Sequence, residues 1–477
     1  MRKILLFLFF TIILAQEGAR YLIITYDNFY PALKELADWK TKKGMLCKIV
    51  KLSEIGGNNA TLIKNYIINA YNNWPIRPEY ILLVGYPNLL TSYYDNTYRI
   101  YTDNWFFDIN NDNKADIPYG RFPARNIREC SLMVKKTLSY EKCLTYSIDS
   151  LWLRKGCGIV NEGGDADDTI YWNDIRIFAY YWRNDLYYYD SLSRVRGNNA
   201  TDVINRINEG RNFVIYRGQG VSNWYSPFNV NPYLTNNNLK LPIVLSMTCQ
   251  TMSLSTSLWE TTYVGQRWLW AGNYDVPKGA VAFFGNTHSD VNVARVRSCG
   301  LRAFIKELFI NQNNILGKCC LKAKDSMYLW NFPDGIGFNL FGDPELNIYT
   351  RTPKVLNVSY PTHIVPGNQN FTVSVFQEGN PVSNALVCVK KGDSIPFEIY
   401  RYGYTNSQGQ ITFEINPQTT GIIDVTVTYR NSLPYEGICE VIPGSGPYLA
   451  FDTLEIYDFP PLGNGDNKIN PGETILL

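Results

Sequence analysis

At 477 residues the chain is longer than one ordinary domain and has room for two or three. Hydrophobic residues make up 45% and charged residues only 18%, with a formal net charge of +2. That balance suits a globular protein with a sizeable core and excludes an electrostatic preference for nucleic acid or anionic membrane. With 35 Tyr and 11 Trp the chain is also heavily aromatic, as is common in extracellular proteins that bind polymers or peptides.

The first element is a leader. Arg2 and Lys3 precede the compact apolar run ILLFLFFTIILA, and Ala15-Gln16 forms a cleavage point, which together predict a secretory signal peptide over 1–15. The run is short for a membrane span, and no later stretch of about 18 apolar residues would cross a bilayer. The expected location is therefore secreted, extracellular or at the surface of a bacterial cell. The strand at Tyr21 follows the cleavage point within a few residues, so no long prosegment is expected between them.

From Tyr21 the sequence alternates strand and helix. RYLIITY is a strand, FYPALKELADWKTKKG a helix ending at Gly44, and LCKIVKL a second strand. TLIKNYIINAYNNW has apolar residues at helical spacing, and EYILLVG is a wholly apolar strand of the kind found inside parallel sheets. This rhythm predicts a mostly parallel sheet covered by helices on both faces.

The rhythm resumes near residue 150. KGCGIV leads through the polar loop NEGGDADD into a helix around TIYWNDIRIFAYYW, and ATDVINRINEG precedes the strand RNFVIY. LPIVLSMTC and GAVAFFGNT are further buried strands, with a helical segment at 299–325 and the exit FNLFGDPELNIY. The glycines of NEGGDADD are no phosphate loop, because no Gly-Lys-Ser follows. Beyond Thr352 the period becomes two, with Pro and Gly turns every 8 to 12 residues, which predicts an immunoglobulin-like β-sandwich. The expected organisation is two α/β sub-domains at 20–150 and 151–350, a sandwich at 353–445, and the start of a further, truncated segment at 446–477.

The 10 cysteines show no C-x-x-C pair and no zinc spacing, and adjacent Cys319 and Cys320 cannot easily bridge. Most are expected to pack as small buried hydrophobes. Cys249 stands apart, at the C-terminal end of the apolar strand in SMTCQT, the edge where sites gather in open α/β sheets. It is either one more buried thiol or a nucleophile. About 30 residues earlier, Gly218-Gln219-Gly220 closes the preceding strand and presents one polar side chain between two glycines.

These segments resemble the gingipain-like cysteine peptidases, relatives of the caspases. The resemblance spans roughly Tyr21 to Ala450, through YLIIT, DWKTKKG, YILLVG, DINNDNKADIPYGRFPA and Tyr140-Glu141. It continues through NEGGD, YRGQG, LPIVLSMTC, GAVAFFG and FNLFGDPEL. It implies a caspase-like α/β fold followed by an immunoglobulin-like sandwich, and a peptide or protein as substrate or ligand. Cys249 matches the nucleophile, the N–H groups of Gly220 and Cys249 would form the oxyanion hole, and Glu162 matches the acid that orients a histidine. The family reads Gly-His-Gly where this chain reads Gly-Gln-Gly. Gln219 thus stands at the position of the general base.

Glutamine cannot take a proton at neutral pH. A free cysteine is only a few per cent thiolate near neutrality, and loss of a positioned base typically costs ~10²–10⁴ in rate. Of the two histidines, His363 belongs to the sandwich, whereas His288 follows the next strand and is the candidate substitute base. Three readings follow: an endopeptidase slowed by Gln219, a dead pseudopeptidase serving as a surface binding or assembly module, or another cysteine chemistry with Gln219 as amide donor. Asp167, Asp168 and Asp290 are candidates for a specificity carboxylate.

A separate motif concerns metal. DINNDNKAD places Asp108, Asn110, Asp112, Lys114 (through its carbonyl) and Asp116 at alternate positions, a pattern of oxygen donors that suits calcium or a hydrogen-bonded Asx-rich turn. Asn113 takes the sixth position, where an EF-hand has glycine, and no Glu follows at the twelfth. GNGDNKINPGE at 463–473 is a weaker loop of the same kind. Surface attachment through a region beyond Leu477 is a further expectation.

Overall fold

Ten strands form one sheet in a computed structural model that describes residues 18–183, 189–256 and 263–444, with 460 and 464. The leader at 1–15, and the 463–473 loop and the 446–477 segment apart from Pro460 and Asn464, lie outside the described residues. The strands are β1 (Tyr21–Thr25), β2 (Cys47–Lys51), β3 (Tyr80–Val84), β4 (Tyr119–Phe122) and β5 (Gly156–Val160). They continue as β6 (Tyr189–Ser193), β7 (Phe213–Arg217), β8 (Ile243–Met247), β9 (Ala282–Asn286) and β10 (Phe338–Phe341). Their order is β2-β1-β3-β4-β10-β9-β8-β7-β5-β6. Every neighbouring pair is parallel except β9 with β10. β10 therefore joins two parallel halves that run in opposite senses.

Strand alternation explains how these halves cohere. Ile23, Leu82, Val214 and Val244 face one continuous core that also takes in Trp39, Trp224 and Trp268. Their neighbours point the other way into two separate clusters, Leu22 and Ile81 in one, Ile215 and Leu245 in the other. The two α/β segments are thus divided on one face of the sheet and fused on the other.

The helices begin where the sequence supplies caps. Asn59, Asn126 and Asn199 each accept N–H groups in the first turn of the helices Ala60–Asn73, Ile127–Glu141 and Ala200–Glu209. The single helical segment expected at 299–325 is instead two helices, Ala294–Ile305 and Leu316–Tyr328. The asparagine-rich stretch between them breaks the helix, with Asn311 and Asn313 turning back to bond Glu307 at 2.6 and 2.9 Å.

Behind the α/β unit, a five-stranded sheet centred on Gly421–Thr428 faces a four-stranded sheet centred on Gln369–Gln377. Phe371, Val373, Val387 and Val425 fill the space between them. This is an immunoglobulin-like sandwich. It docks on the α/β unit through Tyr400, whose hydroxyl donates to the Thr41 carbonyl at 3.0 Å, and through Lys42 and Lys142, which both pair with Glu436.

The most heavily charged part of the interior lies under this junction. The Lys40 ammonium is fully buried among Glu141, Asp343 and Glu345, with Nζ 2.7 Å from Glu141 and 2.6 Å from Glu345. Lys43 pairs with Glu141 at 3.1 Å, and Tyr21 donates to Asp343 at 2.6 Å. The three carboxylates are close enough to ligate one metal ion, but lysine ammonium groups already occupy their centre. The cluster ties β1, the helix Tyr30–Lys42, the helix Ile127–Glu141 and the exit of β10 together.

Among the described residues all ten cysteines are free, and eight are buried. No helix among those residues is long and apolar enough to cross a membrane.

Candidate active site

Register places the candidate residues. β7 pairs with β8 so that Arg217 faces Met247, and with β5 so that Arg217 faces Val160. β8 pairs with β9 with Ile243 facing Ala282. Carried past the strand ends, this register sets Glu162, Gln219, Cys249 and His288 in one row along the C-terminal edge, Cys249 lying between Gln219 and His288.

Loop bonds hold that row together. The Thr248 hydroxyl donates to the Gly218 carbonyl at 2.7 Å, Ser222 N–H to Gln250 at 2.7 Å, and Gln250 N–H to His288 at 2.9 Å. The two glycines around Gln219 are sterically required. Gly218 has φ +149°, and a Cβ there would stand 2.7 Å from that of Asn161; a Cβ on Gly220 would stand 2.8 Å from the Asn223 carbonyl oxygen. The Gln219 carbonyl is fixed by the Tyr216 hydroxyl at 2.6 Å and the Tyr225 N–H at 3.1 Å, while the residue itself is exposed. Gly-Gln-Gly is thus a rigid turn that projects one polar side chain.

Gln219, Gly220 and half-buried Cys249 line a cleft of about 510 Å³. The thiol donates to the Asp290 carbonyl at 3.4 Å. Its sulfur accepts from Arg297 Nη1 at 3.1 Å. Arg297 is itself clamped by Asp334, through Nε at 3.0 Å and Nη2 at 2.9 Å. The helix Ala294–Ile305, which carries Arg297, opens its N-terminus on the same cleft and adds partial positive charge there.

The other candidates divide. Glu162 is buried and already engaged: its carboxylate accepts from the Ser193 hydroxyl at 2.6 Å, Arg194 N–H at 2.9 Å and Trp172 Nε1 at 3.1 Å. It braces β6 against the NEGGD loop and does not line the cleft. His288 is level with the thiol but also lies outside the lining. Burial lowers its imidazole below the ordinary histidine range, against the opposing pull of Asp334 and Asp290. Among the suggested specificity carboxylates, Asp167 and Asp290 reach the cleft, joined by Asp165. Asp168 does not, because its oxygens accept the N–H groups of Gly163 and Gly164 at 2.8 and 2.9 Å.

Residues 108–116 fold into a tight loop. Asp112 N–H reaches both Asp108 and Asn110 side chains, at 3.0 and 2.9 Å, and Asp116 accepts from Ile109 N–H at 2.8 Å. Lys114 N–H donates to Asp112 at 2.9 Å. Asn111 and Asn113 take φ of 63° and 67°, left-handed turns that asparagine tolerates.

Sequence reasoning missed Arg297 and Asp334, and also Arg217 with Asp174, a wholly buried pair at 3.0 Å beneath the cleft. One signal was available for Arg297. It shares the buried face of its helix with Leu301, Phe304 and Ile305, so it is a lone charge on an apolar stripe.

The fold and this strand-end cysteine define a caspase-like α/β protein of gingipain type, with its sandwich behind. The chain matches peptidase family C25 over residues 14–349 and belongs to that family. It is 22% identical over 460 residues to gingipain R2 of Porphyromonas gingivalis, covering 88% of this chain and 60% of that protein. Gingipain R1 of the same species is 22% identical over 388 residues, covering 76% of this chain and 37% of its relative. The crystal structure of the Arg-specific cysteine proteinase gingipain R superposes with a TM-score of 0.77 at 19% identity, covering 89% of this chain and 98% of that one.

Proposed function

We propose that this chain is a secreted cysteine endopeptidase of weak activity, with Cys249 as nucleophile and Gln219 in place of the general base. The observation that carries this is the shared cleft: a rigid turn aims Gln219 into the space that Cys249 lines. The sulfur would attack the scissile carbonyl while Gly220 and Cys249 N–H groups receive the oxyanion. Glutamine can hydrogen-bond a thiol or a carbonyl but cannot pass a proton to the leaving amine, so water must do so. The expected penalty is ~10²–10⁴ in rate. His288 would serve as a base only if its ring turned into the cleft. Asp165, Asp167 and Asp290 favour peptides with a basic side chain near the scissile bond.

The exposure of Gln219 supports a second reading, a pseudopeptidase that holds peptides at the cell surface without cutting them. Cleavage of a diverse peptide mixture separates the two. With reductant and calcium present, products that disappear in a Cys249→Ala control support the peptidase. A folded sample that cuts nothing across the pH range supports the binding module.

We propose in addition that the 108–116 loop holds a structural calcium ion. Its donors fit a hard cation: side-chain oxygens of Asp108, Asn110, Asp112 and Asp116, with the Lys114 carbonyl. Asp108 is buried with one cationic neighbour, Lys64 at 3.7 Å, which leaves the loop rich in negative charge. Calcium there would rigidify the segment leading into β4 and would take no part in chemistry at Cys249.

A further inference from the structure

Arg297 is an expensive residue to bury. It is 5% exposed, and Asp334 engages only Nε and Nη2. Asp334 is fixed in turn by the Asn286 side-chain amide at 2.6 Å and by the Asn331 side chain, which accepts its N–H at 2.8 Å. Three separate elements therefore set where the guanidinium lies: its own helix, the end of β9 and the turn at Asn331. The remaining Nη1 is delivered to the Cys249 sulfur at 3.1 Å. Among the described residues the other hydrogen-bond partner of that sulfur is a neutral carbonyl, that of Asp290 at 3.4 Å.

We propose that Arg297 is a catalytic residue: it holds the negative charge of the Cys249 sulfur as the sulfur attacks. This rests on the reading of Cys249 as nucleophile. It assigns to arginine the electrostatic half of a histidine's work and leaves the proton-transfer half unfilled. The thiol proton departs to water. The sulfur lone pair forms the S–C bond, and the carbonyl π pair moves onto oxygen. When the C–N bond breaks, water supplies the proton that the amine takes away, because guanidinium stays protonated throughout. An N–H group donated to an anionic sulfur is a charge-assisted bond, stronger than one to a neutral thiol. The consequence is a separation of two properties. Cys249 reacts quickly with electrophiles whose leaving group needs no proton, while peptide turnover stays slow.

Alkylation tests this directly, since iodoacetamide forms an S–C bond and releases iodide without protonation. In folded protein at neutral pH, Arg297→Gln is expected to slow modification of Cys249 by about tenfold or more, and Arg297→Lys to retain most of the rate. The rate ratio of anionic iodoacetate to neutral iodoacetamide should also fall in Arg297→Gln. A folded Arg297→Gln protein modified at the wild-type rate overturns the proposal. Should that variant not fold, the wild-type protein suffices, with Cys299 on the same helix as internal reference. An iodoacetate preference at Cys249 no greater than at Cys299 overturns it equally. Peptide cleavage is scored apart: fast, arginine-dependent alkylation without any cleavage leaves Arg297's role standing and removes the peptidase reading.

Discussion

Gln219 and Cys249 stand level above the sheet, each two residues beyond a strand end, with those ends paired as Arg217 to Met247. No rearrangement of the backbone separates this site from one with a histidine base, because Gly218 and Gly220 already fix the turn and the side chain between them is exposed. Gln219→His should therefore restore a base at little cost in stability. Peptide kcat/KM is expected to rise by ~10²–10³, with an ascending limb in the pH profile near the ordinary histidine value of ~6.5. Unchanged turnover in a folded Gln219→His protein would contradict the assignment of this position to base catalysis.

The clamp behind the cysteine makes a stability prediction. Asp334, fully buried, neutralises Arg297, which is nearly so. Removing one partner of a buried pair leaves the other uncompensated, at about 3–5 kcal/mol. Asp334→Asn should lose stability on that scale in urea unfolding, and Arg297→Met combined with Asp334→Leu should recover much of it. A double variant no more stable than Asp334→Asn would mean that the pair is valued for its shape and not for charge balance.

Much of the fold was readable because strands such as β1, β3 and β8 are nearly all apolar and three helices begin at asparagine caps. The motifs behind the family resemblance were readable for another reason, which the structure supplies. DWKTKKG contributes Lys40 and Lys43, Tyr140-Glu141 contributes Glu141, and FGDPEL contributes Asp343 and Glu345, all to one buried cluster. Three motifs scattered along the chain thus meet in a single ionic assembly. The site was legible only in part. Strand-end position singled out Cys249 and Gln219 as candidates, since the apolar runs that precede them are visible in the sequence. The Arg297–Asp334 pair was hidden because its members are 37 residues apart and meet only through tertiary packing. Glu162 was singled out by resemblance alone, and its three donors come from β6, the loop after it and a helix, contacts that no local pattern encodes.

The buried cluster also sets an acid response. Burial alone would raise the Glu141 carboxyl, but Lys40 and Lys43 override it and hold it at about 2, below its ordinary 4.5. A carboxylate lowered on folding contributes stability that is whole above the unfolded value and is lost as pH falls through the folded one. That window runs from about pH 4.5 down to about 2. Glu345 moves the other way, raised first by burial, so the acid sensitivity of the cluster rests on Glu141. Urea midpoints measured between pH 6 and 2 should fall through this window. Glu141→Gln should start lower and fall less steeply; a parallel curve would assign the acid limb to other carboxylates.

The calcium proposed for the 108–116 loop would change thermal stability. Asp108 is buried beside Lys64, and Asn111 and Asn113 in the loop take left-handed turns, so the oxygen-rich loop is already tightly folded. An ion that binds only the folded state stabilises by mass action, about 2.7 kcal/mol at 100-fold over Kd, which in an α/β unit of this size shifts Tm by roughly 4 °C. EDTA should lower the Tm by that amount, calcium should restore it, and magnesium should restore less because it prefers a smaller, more rigid shell. Asp108→Ala should start at the chelated Tm and respond to neither addition. A wild-type Tm indifferent to EDTA would leave the loop as an Asx-rich turn, with Lys64 serving as the counter-charge to Asp108.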